Sequence, residues 1–166
     1  MKLLKVGLAL TVALLAGNEQ AAQAATTTTT FQVTATVNSA CIVSATNLVF
    51  GVYAPSAAAH DDTSTISVTC TKGTAYDVGL DAGVAAGATV TTRQMKHATL
   101  ADLINYSLFS DASRTVNWGN TVSTDTVHVA SATGSAESHT VYGRIATGQY
   151  VTAGNYADTI TVTVTY

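Results

Sequence analysis

Along residues 159–166 the side chains alternate without interruption. Thr159, Thr161, Thr163 and Thr165 face one way, and Ile160, Val162, Val164 and Tyr166 the other. A period of two gives each set its own face, so the stretch predicts a strand with one buried side. No Pro, Gly or charge follows Asp158, and the strand is expected to run bare to residue 166. Such an edge offers unpaired backbone donors and acceptors to any other strand. Residues 31–37 (FQVTATV) repeat the pattern, with Phe31, Val33, Ala35 and Val37 in phase. They follow five threonines, 26–30, which have β propensity but no apolar face.

Between these ends the pattern predicts further short strands. They cover 41–43, 47–53 (NLVFGVY), 65–71 with Ile66, Val68 and Cys70 on one face, 76–80 with Tyr76, Val78 and Leu80 in phase, 89–95, 104–110 and 140–145, with 156–166 closing the set. The single proline, Pro55, halts the second of them and opens a loop over 56–62. Residues 82–88 read as a small-residue loop, and 117–120 (NWGN) as a turn anchored by Trp118. Residues 100–109 fit a helical turn through Leu100, Leu103 and Ile104 or a strand through Ile104, Tyr106 and Leu108; the strand is taken. Seven or so short strands separated by turn signals predict an all-β sandwich.

Composition supports strands and places the chain outside the cytoplasm. Charged residues make up only 10% of the chain, whereas 30 of its 166 residues are Thr. Lys2 and Lys5, an apolar run over 6–16 and Ala22-Gln23-Ala24 read as a secretion signal cleaved after residue 24. Cleavage leaves 142 residues (166 minus 24), with five basic and nine acidic side chains and a net charge of −4. That length supports one domain, and that charge argues against nucleic acid as a partner. In a secreted chain Cys41 and Cys70 have one intramolecular pairing open to them, worth roughly 3 to 4 kcal/mol by chain entropy.

Candidate chemistry is sparse. His60, Asp61 and Asp62 adjoin, but His97, His128 and His139 are scattered, so no metal site is expected. No G-x-S-x-G elbow is present, and Asp77 and Asp81 fall on the polar side of their strand, where solvated carboxylates are ordinary. Trp118, Tyr150 and Tyr156 would suit a sugar platform, although aromatics in small β domains more often anchor cores and turns. No catalytic residue, cofactor or small-molecule substrate is expected.

Several motifs nonetheless form a recognisable set. Cys41, Phe50-Gly51-x-Tyr53, Val68-Thr69-Cys70 followed by Gly73-Thr74-x-Tyr76, Val141-Tyr142-Gly143-Arg144 and Ala153-Gly154-x-Tyr156-x-Asp158-Thr159 resemble the spore coat protein U domain family, which includes subunits of archaic chaperone-usher pili. The resemblance spans nearly all of the chain after the leader. It implies an incomplete immunoglobulin-like β-sandwich, completed by a donor strand taken first from a periplasmic chaperone and then from a neighbouring identical subunit at an outer-membrane usher.

On that basis residues 1–24 are the signal, 25–38 a donor-strand extension and 39–166 the pilin-like domain. Phe31, Val33, Ala35 and Val37 would be the donor residues. Ile160, Val162, Val164 and Tyr166 would form the acceptor groove and chaperone contact. The product would be a surface fibre serving adhesion and biofilm formation. The residues alone leave open a self-complemented coat or carbohydrate-binding domain, in which 31–37 is the first strand of its own sandwich; the resemblance points to exchange. The cysteine pairing is testable directly: the unreduced periplasmic protein should weigh two hydrogens less than its reduced form and show no crosslinked dimer, whereas two free thiols would refute it.

Overall fold

The computed structural model describes residues 22–166. The leader expected over 1–24 lies, apart from its last three residues, outside that range. Residues 22–35 belong to a separate unit, without helix or strand and exposed at every position. The alternating stretch 31–37 therefore carries no strand here, since alternation alone does not supply the ladder of hydrogen bonds that defines one.

The second unit, residues 36–166, is all β. Among the described residues it holds β1 (Cys41–Ala45), β2 (His60–Cys70), β3 (Tyr76–Leu80), β4 (Arg93–His97), β5 (Leu103–Phe109), β6 (Val127–Val129), β7 (Glu137–Ile145), β8 (Tyr156–Ala157) and β9 (Val162–Thr165). One sheet runs β1-β2-β7-β5-β4-β8 and the other β6-β3-β9, with every pairing antiparallel. Ile66, Val68 and Cys70 of β2, Tyr76, Val78 and Leu80 of β3, and Ile104, Tyr106 and Leu108 of β5 are buried in phase and form most of the core. Cys41 faces Cys70 across the first pair of the β1–β2 ladder, and the two are joined as a disulfide.

Several boundaries depart from the pattern-based expectation. β2 starts at His60, inside the expected loop, because His60 and Asp61 pair with Ile145 and Arg144 of β7. The Arg144 guanidinium grips both Asp61 oxygens, at 2.7 and 2.8 Å, and this hydrogen bonding holds the carboxyl below its usual range. β4 starts at Arg93, after a turn closed by a Thr89–Thr92 bridge. β6 was not expected at all. Residues 47–53 form no strand.

The final strand is divided in two. β8 pairs with β4 in the large sheet, and β9 pairs with β3 in the small one, so the chain changes sheets between them. Asp158 sits at the crossing. It accepts N–H bonds from Val84 and Thr159 and, at 2.6 Å, the hydroxyl of Tyr106. Burial, reinforced by Asp158, pushes the Tyr106 hydroxyl far up, so it stays a donor. Gly83, at φ +84°, is required here because the Asp158 carboxylate fills the space a Cβ would take.

β3 is buried on both faces, which also corrects the solvated reading of Asp77. Thr126 donates a hydroxyl hydrogen to Asp77 at 2.7 Å and His128 lies 3.0 Å away. Asp81 accepts N–H bonds from Gly83 and Thr161. Beneath this strand the Arg93 side chain is fully buried, without an ion pair among the described residues. Its guanidinium donates instead to the carbonyls of Leu80, Asp81, Val90 and Trp118, at 2.6 to 2.9 Å. Trp118, itself buried, donates its indole N–H to Val78 O at 2.8 Å. The expected turn aromatic is thus a core anchor joining the 117–120 turn to β3.

Two outcomes follow from this interior. Replacing Arg93 by Leu strands four carbonyls, each costing about 1 to 3 kcal/mol, and urea unfolding should show a loss of at least ~3 kcal/mol; an unchanged midpoint would contradict the assigned role. Asp77 responds to pH in a defined sense. Burial raises its pKa, but Thr126 and His128 more than offset this and hold it below its usual 3.8. Its contribution is therefore complete above the usual carboxylate value and is lost as pH falls through the lowered folded value. Asp77→Asn should cost about 1 to 3 kcal/mol at neutral pH and flatten the acid limb of the stability curve.

Candidate functional site

An apolar cleft opens along one side of residues 36–166. It consists of two adjoining compartments of about 500 and 590 Å³ that share Leu48, Val49, Phe50, Met95 and Tyr156 in their linings. Residues 47–53 form one wall. They lie between β1 and Pro55 and make no backbone–backbone hydrogen bond among the described residues, so their peptide groups have no main-chain partner there, and the Phe50 carbonyl meets the His60 ring instead. The opposite wall runs from Tyr156 through Ile160 to Val162, where β9 pairs with β3 on one edge and, among the described residues, with no strand on the other. Leu80, Tyr106, Leu108 and Val141 supply the floor.

The first wall is held in place by side chains. Leu48 and Phe50 rest on β7 at Gly143, where a Cβ would come within 2.6 Å of Leu48 and 2.8 Å of Phe50. Phe50 also meets the Tyr106 ring edge-on, with centroids 6.3 Å apart, and its carbonyl bonds to the His60 ring. At the far end the Tyr53 hydroxyl donates to Ala146 O and accepts from Gln149 N. The wall is thus fixed by its side chains and the Phe50 carbonyl, while none of its peptide groups joins a strand ladder, which is an arrangement that can admit an added strand.

Ile160 and Val162 line this cleft. Val164 is half-buried opposite Val78 of β3 and Tyr166 is 59% exposed; neither belongs to the lining. Phe31, Val33 and Val37 are 86%, 83% and 79% exposed, and Ala35 is exposed as well. The floor and the first wall were missed by sequence reasoning. The spacing of Leu48 and Phe50 was visible, but nothing in it distinguishes a paired strand from a cleft wall.

The remaining candidates are dispersed. His60, Asp61 and Asp62 alternate along β2 rather than converge. Trp118 is buried, Tyr156 packs edge-on against His97 with centroids 5.0 Å apart, and Tyr150 is exposed, so the three aromatics form no common platform.

Comparison with known proteins agrees with this architecture. The model of the Spore Coat Protein U domain family matches residues 27–163. Protein U of Myxococcus xanthus is 35% identical over 159 residues, covering 87% of this chain and 88% of that protein. Among solved structures, the CsuC–CsuE chaperone–tip adhesion subunit pre-assembly complex from the archaic chaperone-usher Csu pili of Acinetobacter baumannii is similar in fold, with a TM-score of 0.60 at 24% identity. That match covers 79% of this chain and 41% of the solved one, so the chain spans less than half of the structure it resembles. With a family model matched over most of its length and an immunoglobulin-like all-β fold, the chain belongs to the Spore Coat Protein U domain family.

Proposed function

We propose that this chain is a structural subunit of a secreted surface fibre of the chaperone-usher kind, assembled by donor-strand exchange. The observation that carries the reading is the cleft, lined on one side by residues 47–53, outside any strand ladder, on the other by the edge strand β9, with an apolar floor between. A strand with apolar residues at every second position would complete both walls and cover the floor. Phe31, Val33, Ala35 and Val37 supply that pattern from an exposed segment. Before assembly a periplasmic chaperone would occupy the cleft, a role supported by the fold shared with a chaperone-bound pilus subunit. An outer-membrane usher would then pass the subunit to its identical neighbour. Ile160 and Val162 act as acceptor residues, and Val164 and Tyr166 extend the same strand towards the chaperone. The fibre would serve attachment and biofilm formation, a role that requires neither catalysis nor a cofactor.

Val33→Asp tests this. An unpaired carboxylate carried into the cleft costs several kcal/mol at every junction. The expected result is normal chaperone-bound subunit in the periplasm with no fibre sheared from the surface, while Thr34→Lys, on the opposite face, still assembles. Normal fibres from Val33→Asp would remove 31–37 as the donor. Loss of the periplasmic subunit itself would instead favour a self-complemented domain.

A further inference from the structure

On the outer face of the large sheet, away from the cleft, β2 and β7 set two rows of side chains in register. Asp61 pairs with Arg144, Thr63 with Tyr142, Thr65 with Thr140 and Ser67 with Ser138. The period of two turns them outward, since Val141, Gly143 and Ile145 between them are buried. The rows stand about 4.8 Å apart, with a side chain every ~6.6 Å along each. Thr63 and Thr65 bond through their main chains to Asp62 and Thr46, and the hydroxyls of the rows have no partner among the described residues.

The rows end on a cationic pair. Arg144 holds Asp61 with its Nε and Nη2, and Arg114 Nε lies 3.4 Å from the same carboxylate, so two positive groups share one negative. Arg114 keeps a left-handed backbone, φ 56°, which a non-glycine residue holds only where its surroundings fix it. Its guanidinium donates to the Gly143 and Ala112 carbonyls at 3.2 Å each and lies over the Tyr142 ring, 5.7 Å from the centroid, with the side chain only 14% exposed. After these bonds Arg114 Nη2 and Arg144 Nη1 have no partner among the described residues, and neither is enclosed.

We infer that this strip binds an acidic polysaccharide, a chain of uronic acid sugars lying along β2 and β7 with a carboxylate on the Arg114–Arg144 pair and its hydroxyls on the Thr and Ser rows. A planar carboxylate matches the guanidinium donors left over, and sugar hydroxyls match side chains that both donate and accept. None of the large exposed hydrophobics stands in the strip, which disfavours a protein partner. Two cations are too few for nucleic acid, whose phosphates recur along the whole strand. The net charge of −4 left after the leader repels polyanions elsewhere, so retention depends on this pair. The cleft takes no part, and the inference holds whether or not the chain polymerises.

The probe is polygalacturonate fixed to beads, with its methyl ester, dextran and dextran sulfate as comparisons. The full mature chain should be retained by polygalacturonate and pass through the ester and the dextran. Arg144→Gln should weaken retention at least about tenfold, the loss of one charged hydrogen-bond donor. Thr65→Val with Thr140→Val keeps the shape, removes two hydroxyls and should weaken it about threefold or more. Asp61→Asn removes the internal carboxylate that occupies both guanidiniums and should bind tighter; a cluster that only staples the 111–116 turn to the sheet would give no such gain. Should a variant fail to fold by its urea midpoint, the unaltered chain decides. Polygalacturonate should then protect Arg144 from phenylglyoxal, read by mass spectrometry in any state of assembly. The inference is overturned by no retention, by equal retention on dextran sulfate, by no gain from a folded Asp61→Asn, or by Arg144 reacting at the same rate with and without polygalacturonate.

Discussion

Peptide groups that border an apolar space must find partners, because an unpaired N–H or C=O removed from water costs more than most single contacts return. In residues 36–166 that requirement is met along every strand ladder and left open along the cleft. Residues 47–53 lie outside the ladders and β9 has β3 on only one edge, and Leu80, Tyr106, Leu108 and Val141 lie between them with no further strand among the described residues.

The cleft keeps its shape because polar groups brace its margins from within. Asp158 pins the crossing from β8 to β9 through Tyr106 and the 82–84 turn, and Asp81 ties Thr161 to the end of β3 from both its N–H and its carboxylate. Arg93 gathers four carbonyls from three separate segments under the same region. A purely apolar interior would be free to slide and close the gap; directional bonds to fixed carbonyls resist this.

How much of this was legible in the chain depends on what alternation encodes. It reports which face of a strand is buried, and so β2, β3, β5 and β7 were visible in Ile66, Val68 and Cys70, in Tyr76, Val78 and Leu80, and in their counterparts. It does not report which partner a strand has. Residues 47–53 and 31–37 alternate like strands and are unpaired here, while 156–166 alternates through Asp158 although the chain changes sheets there. Arg93 and Asp77 were hidden for a different reason. A lone charge in a polar sequence gives no sign that it will be buried, and only the carbonyls and hydroxyls converging from distant segments make its burial tolerable.

The position of the disulfide also decides how the domain would bear load. Tension on the extension enters at Ala40 and meets Cys41 before any later pair of the β1–β2 ladder. The covalent link passes that force to Cys70 on β2, the strand next to the edge of the six-stranded sheet, so β1 is not peeled off one hydrogen bond at a time. A pull on residues 36–40 is therefore carried by a covalent bond and the long β2–β7 ladder, not by the β1–β2 ladder alone.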